Sequence, residues 1–263
     1  MLQDDTATRT ENNPLVSHPV IPQFLRFAAH ALTSLLAITT ASLVDGFFVG
    51  NFVGADALAS VTLLIPGLTL MFAVALTLAI GGAVKTGHWL GGGQNADAAR
   101  LFSFSVVSII AFSCAVGVAV TIWEEGLYSL LGAPESLWPL MREYVGVMRV
   151  AMVIQLTTLV IYYFIRADNH PQIGTQALLL GAAFNIALNA LFVGWLGWGI
   201  AGAAWATLFA QCIQLAVISR YFSRPNRNLH WRFDRIPFNH LGAAMKMGCL
   251  RALTNYLLEL LLA

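Results

Sequence analysis

The chain has 263 residues, of which 58% are hydrophobic and only 10% are charged. Soluble globular domains carry about 25% charged residues, because charged side chains cover much of the surface that faces water. The composition therefore excludes an ordinary soluble domain and favours a protein whose surface lies largely in lipid. The net charge of +1 gives no indication of a nucleic-acid partner.

The first part of the chain is polar. Residues 1–23 contain acidic side chains and proline, and they lack the basic start and apolar centre of a secretory signal. We expect a disordered cytoplasmic tail over residues 1–23.

Long apolar runs divide the rest of the chain. A helix needs about 20 apolar residues to cross the hydrocarbon core of a bilayer. Backbone polar groups in lipid must be hydrogen-bonded internally, and the two-residue alternation of a membrane β-barrel is missing, so these runs predict helices. They occupy residues 26–49, 58–83, 101–122, 144–165, 175–195 and 199–221.

A seventh apolar run begins near residue 242 and stops at Ala263. The predicted fold is all-α, a polytopic membrane helix bundle with six complete transmembrane helices and a truncated seventh. We expect a six-helix membrane lobe over residues 24–222, a basic cytoplasmic loop over 223–241 and the start of a further helix over 242–263.

The loops between the runs differ in charge, and this difference predicts orientation. Cytoplasmic loops of membrane proteins are rich in Lys and Arg. The basic loops of this chain lie on one side if its N-terminus is cytoplasmic, so we expect a cytoplasmic N-terminus and a location in the inner (plasma) membrane. The basic loop after the sixth run is explained by topology alone, although it could also touch anionic lipid head groups. The inner residues would be Lys85, Arg100, Arg166, Arg220, Arg224, Arg227, Arg232, Arg235 and Lys246; the outer ones would be Asp56, Glu124, Glu125 and Glu135, with Arg142 as the exception.

Residues 87–100, between the second and third runs, are rich in glycine. A phosphate-binding loop would place Lys and Ser or Thr after the glycines, and neither is present. The segment instead predicts a flexible inner turn that ends at Asp97 as the N-cap of the next helix.

Placing a polar side chain inside a membrane span costs free energy, so each one in the predicted spans suggests a specific structural or functional role. Asp45 is the only acid within the first six runs, about 6 Å from the outer boundary of its own run at 1.5 Å per residue. It either reaches the outer head groups or faces the bundle interior.

Three other runs carry polar residues at helical spacing, which places the members of each stripe on one helix face. Such a stripe is often an interhelical hydrogen-bond seam, but three stripes and an acid favour a wet cavity. The stripes are Gln155, Thr158 and Tyr162 in the fourth run, Asn185 and Asn189 in the fifth, and Thr207, Gln211 and Gln214 in the sixth.

Three segments resemble the multidrug and toxin extrusion (MATE) family. They read LVDGFFVGNFVGADALASVTLLIPG (43–67), LLGAPESLWPLMREYVGVMR (130–149) and RADNHPQIGTQALLLGAAFNIALNALFVGWLGWGIAGAAWATLFAQ (166–211). The resemblance implies a twelve-helix, two-lobe antiporter that exports drugs or organic cations in exchange for H⁺ or Na⁺, with no other cofactor. This chain would then hold the N-terminal lobe and the start of the seventh helix, and its partners would be membrane lipids and the missing C-terminal lobe.

The resemblance also assigns roles to residues. Asp45 matches the acid that takes part in cation coupling, and Asn185 and Thr207 match polar residues of the same site. Asn189 stands where some members carry a second acid, so a two-carboxylate proton relay is in doubt, while Glu259 resembles an acid of the second lobe. Gln155, Thr158, Tyr162 and Gln211 are the candidate residues of the substrate cavity.

Other functions remain as alternatives. A lipid-linked oligosaccharide flippase of related fold should have a cationic cavity, whereas Arg149 is the one clear basic residue inside these spans. A membrane enzyme is not supported, because the spans contain no histidine pair, nucleophilic serine motif or acid cluster. An inactive truncated product is the remaining alternative, given the seventh run that stops at Ala263.

Overall fold

The computed structural model describes residues 20–225 and 227–234. The predicted seventh span and its Glu259 lie outside the described residues. Within those ranges the α-helices are α1 (Val20–Phe48), α2 (Ala55–Gly91), α3 (Asn95–Ile122), α4 (Glu124–Leu130), α5 (Trp138–Ala167), α6 (Pro171–Asn189) and α7 (Gly199–Ile218). Helices α1 and α6 continue into π-helical turns at Val49–Val53 and Ala190–Trp195, and short 3₁₀ turns lie at Glu135–Leu137 and Ser219–Ser223.

Six of these helices, all except α4, are long and apolar enough to cross a membrane. Their spans are Ala28–Val53, Ala55–Gly91, Asn95–Ile122, Glu135–Ala167, Pro171–Trp195 and Gly199–Ser223. The predicted all-α bundle with six transmembrane helices is confirmed over the described part of the chain.

Several helices extend beyond the apolar runs that predicted them. Helix α1 begins at Val20, inside the predicted tail, and α2 covers Ala55–Gly91 rather than 58–83. Apolar runs mark the part of a helix in hydrocarbon, whereas helical hydrogen bonding continues through the polar head-group region. Pro22 is compatible with the first turn of α1, because the N–H groups there have no partner within the helix.

The glycine-rich turn between α2 and α3 is shorter than predicted. Only Gly92–Gln94 separate the two helices, and Gly93 reverses the chain with φ of +74°. Helix α3 therefore begins at Asn95, and Asp97 lies in its first turn, where it pairs with Arg100 at 2.6 Å. The prediction of Asp97 as an N-cap is wrong, because the helix starts before it.

Helix packing leaves an opening between the first two helices. Helix α5 is central and packs against α2, α3 and α7, while α1 packs mainly against α6, which in turn packs against α7. Helix α1 reaches α2 chiefly through the π-helical turn Val49–Val53. The bundle is therefore open on the side where α1 and α2 face each other.

Charged side chains differ between the two ends of the bundle. At the acidic end, formed by Gly54 and residues 123–137 and 196–198, Arg142 pairs with Glu124 and Glu125 at 3.2 and 3.3 Å. Tyr128 at this end donates to Glu124, and burial together with that hydrogen bond raises the pKa of its hydroxyl. The basic end is formed by residues 92–94, 168–170 and 219–234, where most Arg side chains outside the spans lie.

Asp168 organises the basic end. The residue is 4% exposed, and its side chain accepts hydrogen bonds from the Tyr221 hydroxyl, the Asn228 backbone N–H at 3.0 Å and the Asn228 amide at 2.7 Å. The Tyr221 hydroxyl in turn accepts from the Leu229 backbone N–H at 3.0 Å. These bonds hold the segment after α7 against the turn between α5 and α6, so the described part of the predicted basic loop is packed rather than free.

Further contacts attach the same segment to α3. Asp234 receives two hydrogen bonds from Arg100, each 2.8 Å long, and the Arg100 guanidinium, together with Arg232, holds the pKa of the Asp234 carboxyl well below its usual range. The rings of Phe222 and Trp231 stack with centroids 5.6 Å apart, and Phe233 continues the stack. The segment is thus held by one buried acid and one exposed ion pair.

We predict that Asp168→Ala destabilises the bundle far more than Asp234→Ala. Removal of Asp168 leaves buried donors without an acceptor, which costs about 3 kcal/mol and lowers Tm by roughly 5–10 °C. Asp234 forms exposed ion pairs, which contribute less than about 1 kcal/mol. Thermal unfolding of both variants in the same detergent is the measurement, and equal Tm values would show that Asp168 does not hold this end.

Candidate functional site

A cavity of about 550 Å³ lies inside the bundle. Residues of α1, α5, α6 and α7 line it, and Phe72 of α2 closes part of one side. Its polar lining residues are Ser34, Ser42, Asp45, Gln155, Thr158, Tyr162, Tyr163, Arg166, Asn185, Thr207, Gln211 and Gln214. The three polar stripes predicted from helical spacing therefore meet at one cavity.

Asp45 faces this cavity rather than the outer head groups. The Asn189 side-chain amide donates a hydrogen bond of 2.5 Å to its carboxylate, and the same amide donates to the Asn185 backbone carbonyl at 3.0 Å. Helix α1 continues to Val53, so Asp45 lies about 12 Å from the helix end at 1.5 Å per residue. A carboxylate at this depth needs polar partners, and Asn189 supplies one.

A π-helical turn follows each partner of this hydrogen bond. Val49–Val53 begins one helical turn after Asp45, and Ala190–Trp195 begins directly after Asn189. The two turns are in contact, and a Cβ at Gly194 would lie 3.4 Å from the Phe48 ring. Single π-helical turns occur often at functional sites, because the local change in register aims nearby side chains.

Buried side-chain amides lie beside Asp45, at Asn185 and Asn189, and farther along the cavity, at Gln155 and Gln211. The side-chain carbonyl oxygens of Gln155, Asn185, Asn189 and Gln211 have no hydrogen-bond partner among the described residues. A buried unpaired carbonyl costs free energy unless water, a ligand or a cation satisfies it. Together with the Asp45 carboxylate, the oxygens of Asn185 and Asn189 can solvate a small cation, while those of Gln155 and Gln211 can accept hydrogen bonds from a bound molecule.

The end of the cavity near the basic end of the bundle has a different character. Ser34 lies within 3.4 Å of the Thr175 hydroxyl and within 3.5 Å of the Tyr162 hydroxyl. Arg166 donates to the Tyr162 hydroxyl at 3.4 Å and also lines the cavity. One end therefore carries a carboxylate and the other a guanidinium.

The cavity also depends on a glycine. Gly181 of α6 lines it, and a Cβ at this position would collide with the amide group of Gln214 on α7. The absence of a side chain lets Gln214 lie across α6, which keeps its polar amide at the cavity wall.

Of the residues predicted for the site, Asp45, Gln155, Thr158, Tyr162, Asn185, Thr207 and Gln211 line the cavity. Asn189 lies behind them, fully buried and bonded to Asp45. Glu259 lies outside the described residues.

Sequence reasoning missed Ser34 and Arg166. The charge of Arg166 predicts an inner loop, yet Arg166 follows Thr158 and Tyr162 at intervals of four and so continues that polar stripe. Ser34 precedes Asp45 by eleven residues, about three helical turns, so both share one face of α1.

The sequence is similar to those of known transport proteins. A family model described as MatE matches residues 31–191. An FAD transporter of Shewanella oneidensis is 27% identical over 215 residues, which are 79% of this chain and 46% of that protein. The multidrug export protein MepA of Staphylococcus aureus is 19% identical over 258 residues, which are 93% of this chain and 56% of that protein. The chain thus spans about half the length of these curated relatives.

Solved structures show the same fold. The chain matches the Vibrio cholerae MATE transporter VcmN in its bent form with a TM-score of 0.79 at 20% identity, over 90% of this chain and 56% of that one. It matches a MATE crystal structure in the bent conformation with a TM-score of 0.78 at 22% identity, over 86% of this chain and 51% of that one. Because the matched family region covers more than half of the chain and includes Asp45, Asn185 and Asn189, the chain is a multi-pass membrane protein that belongs to the MatE family.

Proposed function

We propose that the protein takes part in cation-coupled export of drugs or organic cations, as a transporter rather than an enzyme. The observation that carries this proposal is the carboxylate of Asp45 in a polar cavity inside a membrane bundle. The multidrug export relatives support the same substrate class. The six described helices would form one lobe of the carrier, and a second lobe would complete it.

Asp45 would bind the coupling ion. When the carboxylate takes a proton, it loses its negative charge and one oxygen gains an O–H that can donate, so the charge-assisted bond from the Asn189 amide weakens to a neutral one. The π-helical turns beside both residues would transmit this change to the helix ends. Na⁺ is the other candidate, because it prefers oxygen ligands and the unpaired amide oxygens of Asn185 and Asn189 lie nearby.

The orientation follows from charge. The basic end of the bundle would face the cytoplasm under the positive-inside rule, which places the N-terminus on the same side and the protein in the inner membrane. The acidic end, with Asp56 and the Glu124–Arg142 pair, would face outward. Asp45 then lies in the outer half of the membrane, where protons or Na⁺ from outside can reach it.

A second substrate class is favoured by Arg166. A guanidinium inside the cavity repels a simple organic cation and attracts a phosphate or carboxylate, and Arg166 has no ion-pair partner among the described residues. The relative that is an FAD transporter points to an anion with aromatic rings. Such a molecule would place its anionic group at Arg166 and its rings between Phe72 and Tyr163.

The lipid-linked oligosaccharide flippase is less well supported. A carrier for pyrophosphate should have several basic side chains in its cavity, and Arg166 is the one found in the described lining. Arg149, the base considered from sequence, does not line this cavity and lies on another face of α5.

We expect Asp45→Asn to abolish export while leaving the protein in the membrane. The amide cannot take up a proton and binds Na⁺ weakly, so efflux of an ethidium-like dye should fall by roughly tenfold or more, corresponding to a lost charge-assisted interaction. Dye efflux from cells, normalised to protein in the membrane fraction, is the measurement. Asp56→Asn, the same change at the exposed start of α2, should leave efflux unchanged.

Undiminished dye resistance in cells that carry Asp45→Asn would contradict the coupling role. Reduced resistance in both the Asp45→Asn and Asp56→Asn variants would point to a general loss of acidic charge rather than to this site.

Arg166→Gln separates the two substrate classes. If the cavity takes an anion, binding of FAD to the purified protein, followed by flavin fluorescence, should weaken by roughly tenfold, since one charge-assisted hydrogen bond is lost. If it takes organic cations, binding of an ethidium-like dye should stay equal or tighten. Arg220→Gln, an exposed change at the same end of the bundle, is the matched control.

A further inference from the structure

A second cavity lies on the other side of the bundle, between α2, α3 and α5. Its volume is about 420 Å³, and its lining is almost entirely apolar, with Leu68, Met71, Phe112 and Met148 as typical members. Leu70, which also lines it, is 69% exposed, so this apolar groove opens sideways toward the surface that faces lipid. Helices α1, α6 and α7 contribute nothing to it.

One charged residue lies at the rim of the apolar groove. Arg149 of α5 reaches across to α3, where its Nη1 donates to the Thr121 hydroxyl at 2.8 Å, and its Nε donates to the Gly146 carbonyl at 3.1 Å. Thr121 is the second-last residue of α3. The guanidinium therefore lies level with the end of α3, where the membrane interface begins.

Arg149 has no anionic partner in the described chain. Arg142, on the same helix, pairs with Glu124 and Glu125, and Arg100 pairs with Asp97 and Asp234, whereas neither acceptor of Arg149 carries charge. At interface depth a guanidinium without a protein counter-charge is positioned to meet lipid phosphates, and phosphate matches its planar fork of donors.

We propose that the apolar groove binds one phospholipid, with its phosphate on Arg149 and an acyl chain between α2, α3 and α5. The chemistry of the site matches both halves of such a molecule: a cation at interface depth and an apolar channel below it. The hydroxyl of Ser113, one of the few polar groups in the lining, already donates to the Ile109 carbonyl, so the groove offers little to a polar ligand.

The bound lipid would act on the transport cavity through shared helices. On α2, Met71 lines the groove and Phe72 lines the transport cavity. On α5, Met152 lines the groove and Gln155, one turn later, lines the transport cavity. Occupancy of the groove fixes the positions of α2 and α5 relative to α3. Lipid binding itself does not depend on the proposed transport function.

The test adds dioleoyl phosphatidylglycerol to delipidated protein in detergent micelles. Native mass spectrometry measures how many lipid molecules the protein retains, and the increase in Tm measures the stabilisation. The wild type should retain one lipid and gain Tm saturably. Dioleoylglycerol, which lacks the phosphate, and inorganic phosphate, which lacks the acyl chains, should each give a much smaller effect.

Two variants address the two halves of the site. Arg149→Gln removes the cation, and Gly67→Leu fills the groove, since a Cβ at Gly67 meets no atom within 4 Å. Each should weaken lipid binding by roughly tenfold, the loss expected for one charge-assisted hydrogen bond or one buried side-chain contact. Arg149→Lys should retain most of the binding and keeps the test valid if Arg149→Gln folds poorly.

Matched controls lie on the same helices. Arg142→Gln changes a paired arginine of α5, and Gly87→Leu changes an unobstructed glycine of α2 outside the groove, so neither should alter lipid retention. Equal lipid retention by wild type, Arg149→Gln and Gly67→Leu would overturn the proposal. The proposal would also be overturned if dioleoylglycerol raised Tm as much as the phospholipid does. It would likewise be overturned if the wild type formed a dimer that Gly67→Leu dissociates, because a second copy of the chain would then occupy the groove.

Discussion

The hydrogen bond between Asp45 and Asn189 determines how the peripheral helix α1 is attached to the rest of the bundle. Helix α1 packs mainly against α6, and polar contacts join the two at two depths: Asp45 with Asn189 near the acidic end, and Ser34 with Thr175 near the basic end. Lipid gives little hydrophobic drive for helix association, so interhelical hydrogen bonds and close packing set the position of a peripheral helix. A change in the charge of Asp45 therefore acts directly on how α1 is attached.

Asp168 and Asp45, two acids of the described chain with polar partners, differ in how fully their carboxylates are satisfied. Asp168 accepts three hydrogen bonds and is almost fully buried, so its carboxylate is largely satisfied and closed to a ligand. Asp45 is bonded by the side-chain amides of Asn189 and Asn185, and the oxygens of the same two amides are unpaired among the described residues. A fully satisfied carboxylate stabilises one arrangement, whereas an incompletely satisfied one can exchange partners, which a coupling site requires.

Much of this architecture could be predicted from the sequence. Apolar runs gave the number and type of the spans, because lipid imposes a minimum length and internal hydrogen bonding. The period of 3.6 residues correctly grouped Gln155, Thr158 and Tyr162 on the face that lines the cavity. These features are local in sequence, so a single chain carries enough information to find them.

The features that sequence reasoning missed depend on tertiary contacts. Asp168 was passed over because its partners Tyr221 and Asn228 lie more than fifty residues away. The π-helical turns arise where α1 and α6 pack, and no local motif marks them. The N-cap prediction for Asp97 is wrong because Gly93 reverses the chain earlier than the composition indicates.

The distance between the two charges of the transport cavity decides what they can do. Asp45 and Ser34 are eleven residues apart on α1, about 16 Å along the helix, and Arg166 lies beyond Ser34 on the far side of Tyr162. At that separation, with an effective dielectric constant of about 20, their attraction is only about 1 kcal/mol. They do not neutralise each other, so each keeps its charge available to a different ligand group. A molecule bound between them would contact Arg166 at one end of the cavity, while Asp45 exchanges its ion at the other end. Substrate binding and ion exchange can then be coupled through the substrate itself as well as through the helices.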